Sequence, residues 1–296
     1  MSRPDWARDG LDWPNRSASA FVEAGGLRWH VQVMGEGPPL LLLHGTGAAT
    51  HSWRGLAPIL AQDFLVVAPD LPGHGFTAPL ARLATLPAMA AAVARLMERL
   101  EVPPALVVGH SAGAAIGARL VLDGHAAPRG LVALNGALLP FPGIARDLFP
   151  GLARLLFLNP LTPRMFALQA GLAGNIGKFL ARSTGSRIDP QGVELYRRLL
   201  SRPGHVAGAL EMMASWDLVQ LRRDLPRLEV PLTLVAGSND LAVPATNARE
   251  VARLVGAAEV HILTGLGHLA HEEAPADTAA IIRAAAASAG LTRETA

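Results

Sequence analysis

The sequence predicts an α/β protein: a mostly parallel sheet with helices on both faces and an inserted helical cap. Three observations carry that prediction. Short apolar runs alternate with helical patterns toward both ends of the chain, as strands joined by crossover helices do. Those runs are nearly continuous rather than alternating, which strands covered on both faces require. Between them, the stretch from Leu139 to Leu228 holds helical patterns broken by Pro and Gly and no clear strand.

The elements follow in order. Phe21–Val33 reads as a hairpin turning at Gly25-Gly26. Pro39–Leu43 is an apolar run ending in His44-Gly45, and Phe64–Ala68 a second, ending in Pro69-Asp70-Leu71-Pro72-Gly73-His74-Gly75. Leu86–Leu100 has helical spacing. Ala105–Val108 is a third run, followed by a small-residue helix from Ala112 to Leu122 and the run Leu131–Leu134. After the cap come Leu232–Ala236, a helix over Thr246–Val255, the run Glu259–Leu263 and a final helix over Ala276–Ala287. The expected division is a core of residues 1–138 and 229–296 with a cap of residues 139–228.

The chain has 296 residues, 50% hydrophobic and 17% charged, with a formal net charge of +2. That length holds one large domain or a core plus an inserted piece, and the composition excludes intrinsic disorder. Of the 26 basic residues all but Lys178 are Arg, but an excess of two charges does not make a nucleic-acid binder. There is no cysteine, hence no disulfide, thiolate metal site or Cys nucleophile. The first sixteen residues mix charges and tryptophans without the apolar core of a secretion signal. No charge-free stretch reaches the roughly 18 residues of a membrane span, so a cytoplasmic protein is expected. The cap carries 12 basic and 6 acidic residues, a charge of +6, which leaves −4 for the rest. Its arginines form either a solvated helical face or an electropositive mouth for anions or an acidic partner.

The chemistry sits at the strand ends. Gly109-His110-Ser111-Ala112-Gly113 has the form G-x-S-x-G, directly after an apolar run and directly before a helix, the context in which that motif exposes a serine on a sharp turn. A serine needs a base. The candidate is His268, in Gly265-Leu266-Gly267-His268 past the last predicted strand; His271 is its competitor. His30, His125, His205 and His261 read as surface or strand decoration. The carboxylate that orients the base is Asp240, at the end of the first strand after the cap. The rival strand end holds the uncharged Asn135, and Asp70 suits a turn-forming role. The catalytic set is then Ser111, Asp240 and His268. The oxyanion donors are the backbone N–H groups of Ala112 and, in the His44-Gly45-Thr46-Gly47 loop, of Thr46; His44 braces that loop. Walker A, EF-hand and His-x-x-x-His patterns are absent, so no cofactor and no metal are inferred.

Leu43-His44-Gly45-Thr46-Gly47, Pro69-Asp70-Leu71-Pro72-Gly73-His74-Gly75, Gly109-His110-Ser111-Ala112-Gly113, Gly237-Ser238-Asn239-Asp240 and Gly267-His268 together resemble the α/β-hydrolase superfamily, from about Phe21 to Ala287. With Ser111 at the nucleophile position, the sequence departs from the haloalkane dehalogenases and epoxide hydrolases, which use Asp there. It is closer to the esterases, carbon–carbon bond hydrolases and cofactor-free haloperoxidase-like members. Asp12-Trp13-Pro14-Asn15-Arg16-Ser17 and Phe21-Val22-Glu23-Ala24-Gly25-Gly26-Leu27-Arg28-Trp29-His30 further resemble the magnesium-chelatase accessory proteins of bacteriochlorophyll biosynthesis, hydrolase relatives encoded with photosynthesis genes. That resemblance implies a role around magnesium insertion into protoporphyrin IX, without supplying a reaction.

Three readings follow. The first is a serine hydrolase acting on an apolar ester-like substrate. The second is an accessory protein that binds a tetrapyrrole or magnesium-chelatase subunits, with Arg146, Arg154, Arg164, Arg197 and Arg198 facing anionic propionates. The third is peripheral membrane contact through Phe149–Leu158, an apolar segment with basic punctuation, whose plainer reading is a cap helix lining a substrate tunnel. Met212, Met213 and Trp216 are expected to line the cap or its core.

Overall fold

The structure is a computed structural model that describes residues 1–140, 159, 161–172 and 175–291. Phe149–Leu158, with Arg146 and Arg154, lies outside the described residues. The strands are β1 (Ser19–Ala24), β2 (Leu27–Met34), β3 (Pro39–Leu43), β4 (Leu65–Pro69), β5 (Leu106–His110), β6 (Gly130–Leu134), β7 (Leu232–Gly237) and β8 (Ala258–Leu263). They form one sheet in the order β1-β2-β4-β3-β5-β6-β7-β8. β1 and β2 are the expected hairpin, and β2 pairs antiparallel with β4. From β4 to β8 every pairing is parallel.

The helices in chain order are α1 (Trp6–Asp9), α2 (Ala57–Leu60), α3 (Leu86–Leu100), α4 (Ala112–Leu122), α5 (Thr162–Gly171), α6 (Asn175–Thr184), α7 (Pro190–Leu200), α8 (Pro203–Ser215), α9 (Leu218–Asp224), α10 (Thr246–Leu254), α11 (Ala270–Glu273) and α12 (Pro275–Ser288). The continuous apolar character of β3 follows from coverage on both faces. Leu41 and Leu43 pack into the layer of α3 and α4, Leu40 and Leu42 into that of α2 and α12. Each of these fully buried leucines contributes roughly 2 kcal/mol. α3 starts at Thr85, whose hydroxyl accepts the Ala88 amide at 3.3 Å, and buries Leu86, Met89, Ala90, Val93, Leu96 and Met97 at helical spacing.

The structure departs from the sequence reading in a few places. A short helix, α11, precedes the expected final one: Ala274, the residue before Pro275, has φ −136° and ψ 68° and separates the two, because a proline pushes its predecessor out of helical geometry. The short α1 and α2 carry too little periodicity to be read from the sequence. His30 and His205 are not decoration but wholly buried. His30 Nδ1 lies 2.8 Å from Asp70 Oδ2. His205 Nδ1 accepts the Gly75 amide at 3.0 Å while Nε2 donates to Gly47 O at 3.0 Å. A neutral imidazole can join two backbone groups in this way without burying a charge.

Among the described residues, the chain between β6 and β7 is helical and contains no strand. This insert is fastened on two sides. Arg198 pairs with Asp12 at 2.5 Å and Arg202 with Asp9 at 2.5 Å, while Arg3 donates to Thr77 O at 2.5 Å and to Gly204 O at 3.4 Å. Trp13 Nε1 donates to Thr50 Oγ1 at 2.9 Å. The N-terminal segment is thus a strap across insert and sheet. Burial opposes ionisation of Asp9, but hydrogen bonds from Arg8, the Asp5 amide and Arg202 hold its carboxyl down at about 2. Arg197 pairs with Glu194 at 2.6 Å, so Arg197 and Arg198 are neutralised within the protein rather than offered to a ligand. On the other side, Arg54 sits between Asp189, which caps α7, and Glu272 of α11.

Among the described residues, Arg54→Met leaves the buried Glu272 side chain with only Tyr196 as a partner. Its expected cost is about 3 kcal/mol of unfolding free energy, measured by urea denaturation. The double variant with Glu272→Gln recovers much of that loss.

Candidate active site

Ser111 stands between the end of β5 and the start of α4 with φ 49° and ψ −114°. A serine at positive φ is strained, and the structure around it keeps it there. The Ser111 amide donates to Leu134 O at 2.9 Å, and its carbonyl accepts from Ala114 at 3.1 Å and Ala137 at 3.0 Å. Close packing does the rest. A Cβ on Gly113 would overlap the Leu43 carbonyl oxygen, and one on Gly45 would lie 2.8 Å from His110 Nδ1 and 3.2 Å from Ser111 Cβ. The absence of side chains at these two positions lets the loop after β3 lie directly against the Ser111 turn.

That loop is braced as well. His44 Nδ1 donates to Gly45 O at 2.8 Å, and its Nε2 accepts the Leu71 amide at 2.9 Å. Thr46 donates its hydroxyl to Met212 Sδ of α8 at 3.2 Å, which joins the loop to the insert. Among the described residues, the Thr46 and Ala112 amides have no hydrogen-bond acceptor.

Asp240 follows β7, and its side chain has no exposure. Oδ2 accepts from His268 Nδ1 at 2.7 Å and from Asn135 Nδ2 at 2.7 Å. Oδ1 accepts the Ala242 and Val243 amides, both at 2.8 Å. With Nδ1 donating to Asp240, the lone pair of His268 is on Nε2, which has no partner among the described residues. His271 has no such carboxylate: both its ring nitrogens are buried without partners, and the ring packs 4.8 Å from Trp53 and 4.3 Å from His110. The structure therefore brings Asp240 and His268 together. Ser111 follows β5, two strands from β7, next to His110, whose Nε2 donates to His268 O at 2.9 Å and whose ring lies 4.8 Å from that of His268. The Ser111 hydroxyl makes no hydrogen bond to His268 here.

Asn135 and His110 are the members of this site that sequence reasoning passed over. Asn135, the uncharged residue at the rival strand end, serves as a donor to the carboxylate on the next strand. Its signal was its place at the end of an apolar run, where it adopts φ 48°. Asp70 likewise does more than form a turn. Oδ1 accepts the Thr50 amide at 2.7 Å and Oδ2 the Phe76 amide at 2.9 Å. Burial pushes its carboxyl up, but His30 and these donors hold it well below the usual range.

Besides His30 and His268, six histidines are buried: His44, His51, His74, His110, His205 and His271. Burial pushes all six below the ordinary histidine value, His205 to about 4 and His271 to about 3. Among the described residues no group of three His, Asp or Glu side chains is placed to hold a metal ion. A cavity of about 930 Å³, lined by Met97, Val102, Pro103, Val121, Leu122 and Val230 among others, opens at the amino-terminal ends of β5, β6 and β7 and includes none of Ser111, Asp240 and His268.

Comparison with known proteins extends these observations. A family model described as the alpha/beta hydrolase fold matches residues 38–275. The chain is 43% identical over 266 residues to the magnesium-chelatase 30 kDa subunit of Rhodobacter capsulatus, covering 89% of this chain and 92% of that protein. It is 30% identical over 277 residues to a pyrrolizixenacetamide deacetylase of Xenorhabdus hominickii, covering 88% and 96%. Among solved structures, an epoxide hydrolase superposes with a TM-score of 0.76 at 23% identity, over 91% of this chain and 98% of the other; this likeness is one of fold.

Two outcomes follow from the geometry. Asn135→Ala removes one donor from the buried Asp240 carboxylate and is expected to lower unfolding free energy by about 1–3 kcal/mol, read by chemical denaturation. The buried histidines make stability pH-dependent. The unfolded chain binds protons near 6.5, and the folded chain only near 4 at His205 and near 3 at His271. The unfolded state therefore binds more protons in that window, so stability is full above about pH 7 and falls as pH drops from 6.5 toward 4. Denaturation curves at pH 7 and pH 5 check this, and His205→Gln should flatten the difference between them.

Proposed function

This chain belongs to the α/β-hydrolase family, and from that membership we propose that it is a serine hydrolase acting on an apolar ester-like substrate. The observation that carries the reading is the 2.7 Å bond from His268 Nδ1 to a buried Asp240, with the ring of His110, the residue before the strained Ser111, 4.8 Å from that of His268. In this reading Ser111 Oγ attacks the acyl carbonyl carbon as its proton passes to His268 Nε2. Asp240 stabilises the imidazolium and fixes its ring. The Thr46 and Ala112 amides receive the oxyanion. The tetrahedral intermediate collapses with the leaving alcohol taking the proton from His268. A water, deprotonated by the same nitrogen, then hydrolyses the acyl-serine. Such Ser–His contacts commonly tighten only when substrate is held. A relative named for deacetylation, similar over most of its length, supports chemistry at an acyl group.

The test is turnover of a p-nitrophenyl ester of short chain length, together with labelling by a fluorophosphonate. Ser111→Ala is expected to abolish labelling and to lower kcat/KM by about three orders of magnitude or more, with the folded state retained. Wild-type protein that is neither labelled nor active would overturn the reading.

A second reading is favoured by one observation, the 43% identity to a magnesium-chelatase 30 kDa subunit over nearly all of both proteins. Here the protein serves bacteriochlorophyll biosynthesis as an accessory that binds a tetrapyrrole or chelatase subunits, and hydrolysis is idle. Acyl transfer has no part in exchanging ligands and protons around an inserted metal ion, so function would rest on the insert. Complementation of a deletion strain separates the two: Ser111→Ala restores pigment synthesis under the accessory reading and fails to do so under the hydrolase reading.

A further inference from the structure

The outer surface of the insert is built unlike the rest of the molecule. Among the described residues, six of the ten exposed large apolar side chains lie between positions 161 and 179: Leu161, Met165, Phe166, Leu168, Leu172 and Phe179. Their placement is regular. α5 buries Thr162, Pro163, Ala167 and Ala170. Leu161, Met165, Leu168 and Leu172, spaced four, three and four residues apart, form a stripe on the opposite side. Leu168 at its centre is 74% exposed. An amphipathic helix ordinarily turns such a stripe inward. This helix already has its inward face, so the outer stripe is a second one without a partner among the described residues.

The segment that carries the stripe has charge of one sign. No Asp or Glu occurs between Asp147 and Asp189. Arg164, Lys178, Arg182 and Arg187 are all exposed, and none forms a salt bridge among the described residues. The contrast with Arg197, Arg198 and Arg202 is direct: those arginines are neutralised by Glu194, Asp12 and Asp9. Lys178 and Arg182, one turn apart, share the outward side of α6 with Phe179, and α5 packs against α6.

We propose that the outer face of α5 and α6 docks on an anionic phospholipid surface. Aliphatic and aromatic side chains on one outward face, flanked by long cationic side chains, match a plane with acyl chains below and phosphates above. A protein surface presents both signs of charge, and a partner of that kind would leave four cations without matching carboxylates on this side. Among the described residues no helix is long and apolar enough to cross a membrane, so the contact is with the surface. This docking is independent of whether Ser111 is a nucleophile.

The experiment is co-sedimentation of the full-length protein with sucrose-loaded vesicles of phosphatidylcholine alone, or with one third phosphatidylglycerol. Wild-type protein is expected to sediment with the anionic vesicles, to remain in solution with the neutral ones, and to be released as salt is raised. Lys178→Glu/Arg182→Glu should weaken the partition by at least about tenfold, and Met165→Ser/Leu168→Ser by a similar factor. All four positions are exposed, so circular dichroism should be unchanged in both variants. The proposal is overturned if wild-type protein does not sediment with anionic vesicles, or if the variants sediment as wild type does. It is also overturned if the protein is a stable oligomer in solution that Met165→Ser/Leu168→Ser dissociates, for then the stripe joins copies of this chain.

Discussion

Asp240 is a carboxylate taken wholly out of water, and a charge so placed is tolerated only if every lone pair is met. Four donors meet it: the Asn135 side chain, the Ala242 and Val243 amides, and His268 Nδ1. They come from the end of β6, from the turn after β7 and from the loop after β8. To satisfy one buried charge, three strand ends must keep one mutual arrangement. The orientation of His268 is a consequence of that demand, and so is the direction in which Nε2 is left free.

Neutral histidines extend the same logic across the sheet top. An imidazole that donates at one nitrogen and accepts at the other spans two backbone groups without the cost of a buried charge. His44 joins the loop after β3 to Leu71, and His205 joins α8 to both Gly47 and Gly75. His110 uses one nitrogen to hold His268 O. Irregular loops cannot satisfy their backbone groups through a ladder, and these rings supply the missing partners. The Ser111 turn, its neighbouring loop and the insert are thereby held as one body, at the cost of sensitivity to acid.

The insert faces two environments. Its inner side reaches the site through Met212 and His205, and its outer side carries an apolar stripe amid unpaired cations. The N-terminal strap, through Asp9 and Asp12, neutralises the arginines on one flank only. The +6 charge of residues 139–228 is accordingly not spread as a uniform mouth over the site. Among the described residues, its cations without a salt bridge lie on α5, α6 and the turn that follows, with one more, Arg223, on α9.

Much of this was legible in the sequence because strands, helices and the serine turn are local objects. β3, α3 and α4 begin and end where apolar runs, a threonine cap and the G-x-S-x-G pattern put them, and the remaining strands differ from expectation by a residue or two at their ends. That Ser111, Asp240 and His268 fall at one end of the sheet could be read because each ends a strand or follows one, and a parallel sheet gathers those ends along one edge. Which of His268 and His271, three residues apart, meets the Asp240 carboxylate depends on the direction in which each ring points, and only the folded loop shows that. The same holds for Asn135 as a donor, for His30 and His205 as buried braces, and for the pairing of Arg198 with Asp12. Each depends on contacts between residues far apart in the chain, and no local pattern encodes the distance between them. Exposure is the last such property: the sequence supplies an apolar stripe at helical spacing, but which side of α5 faces the protein is settled only when the other helices are packed against it.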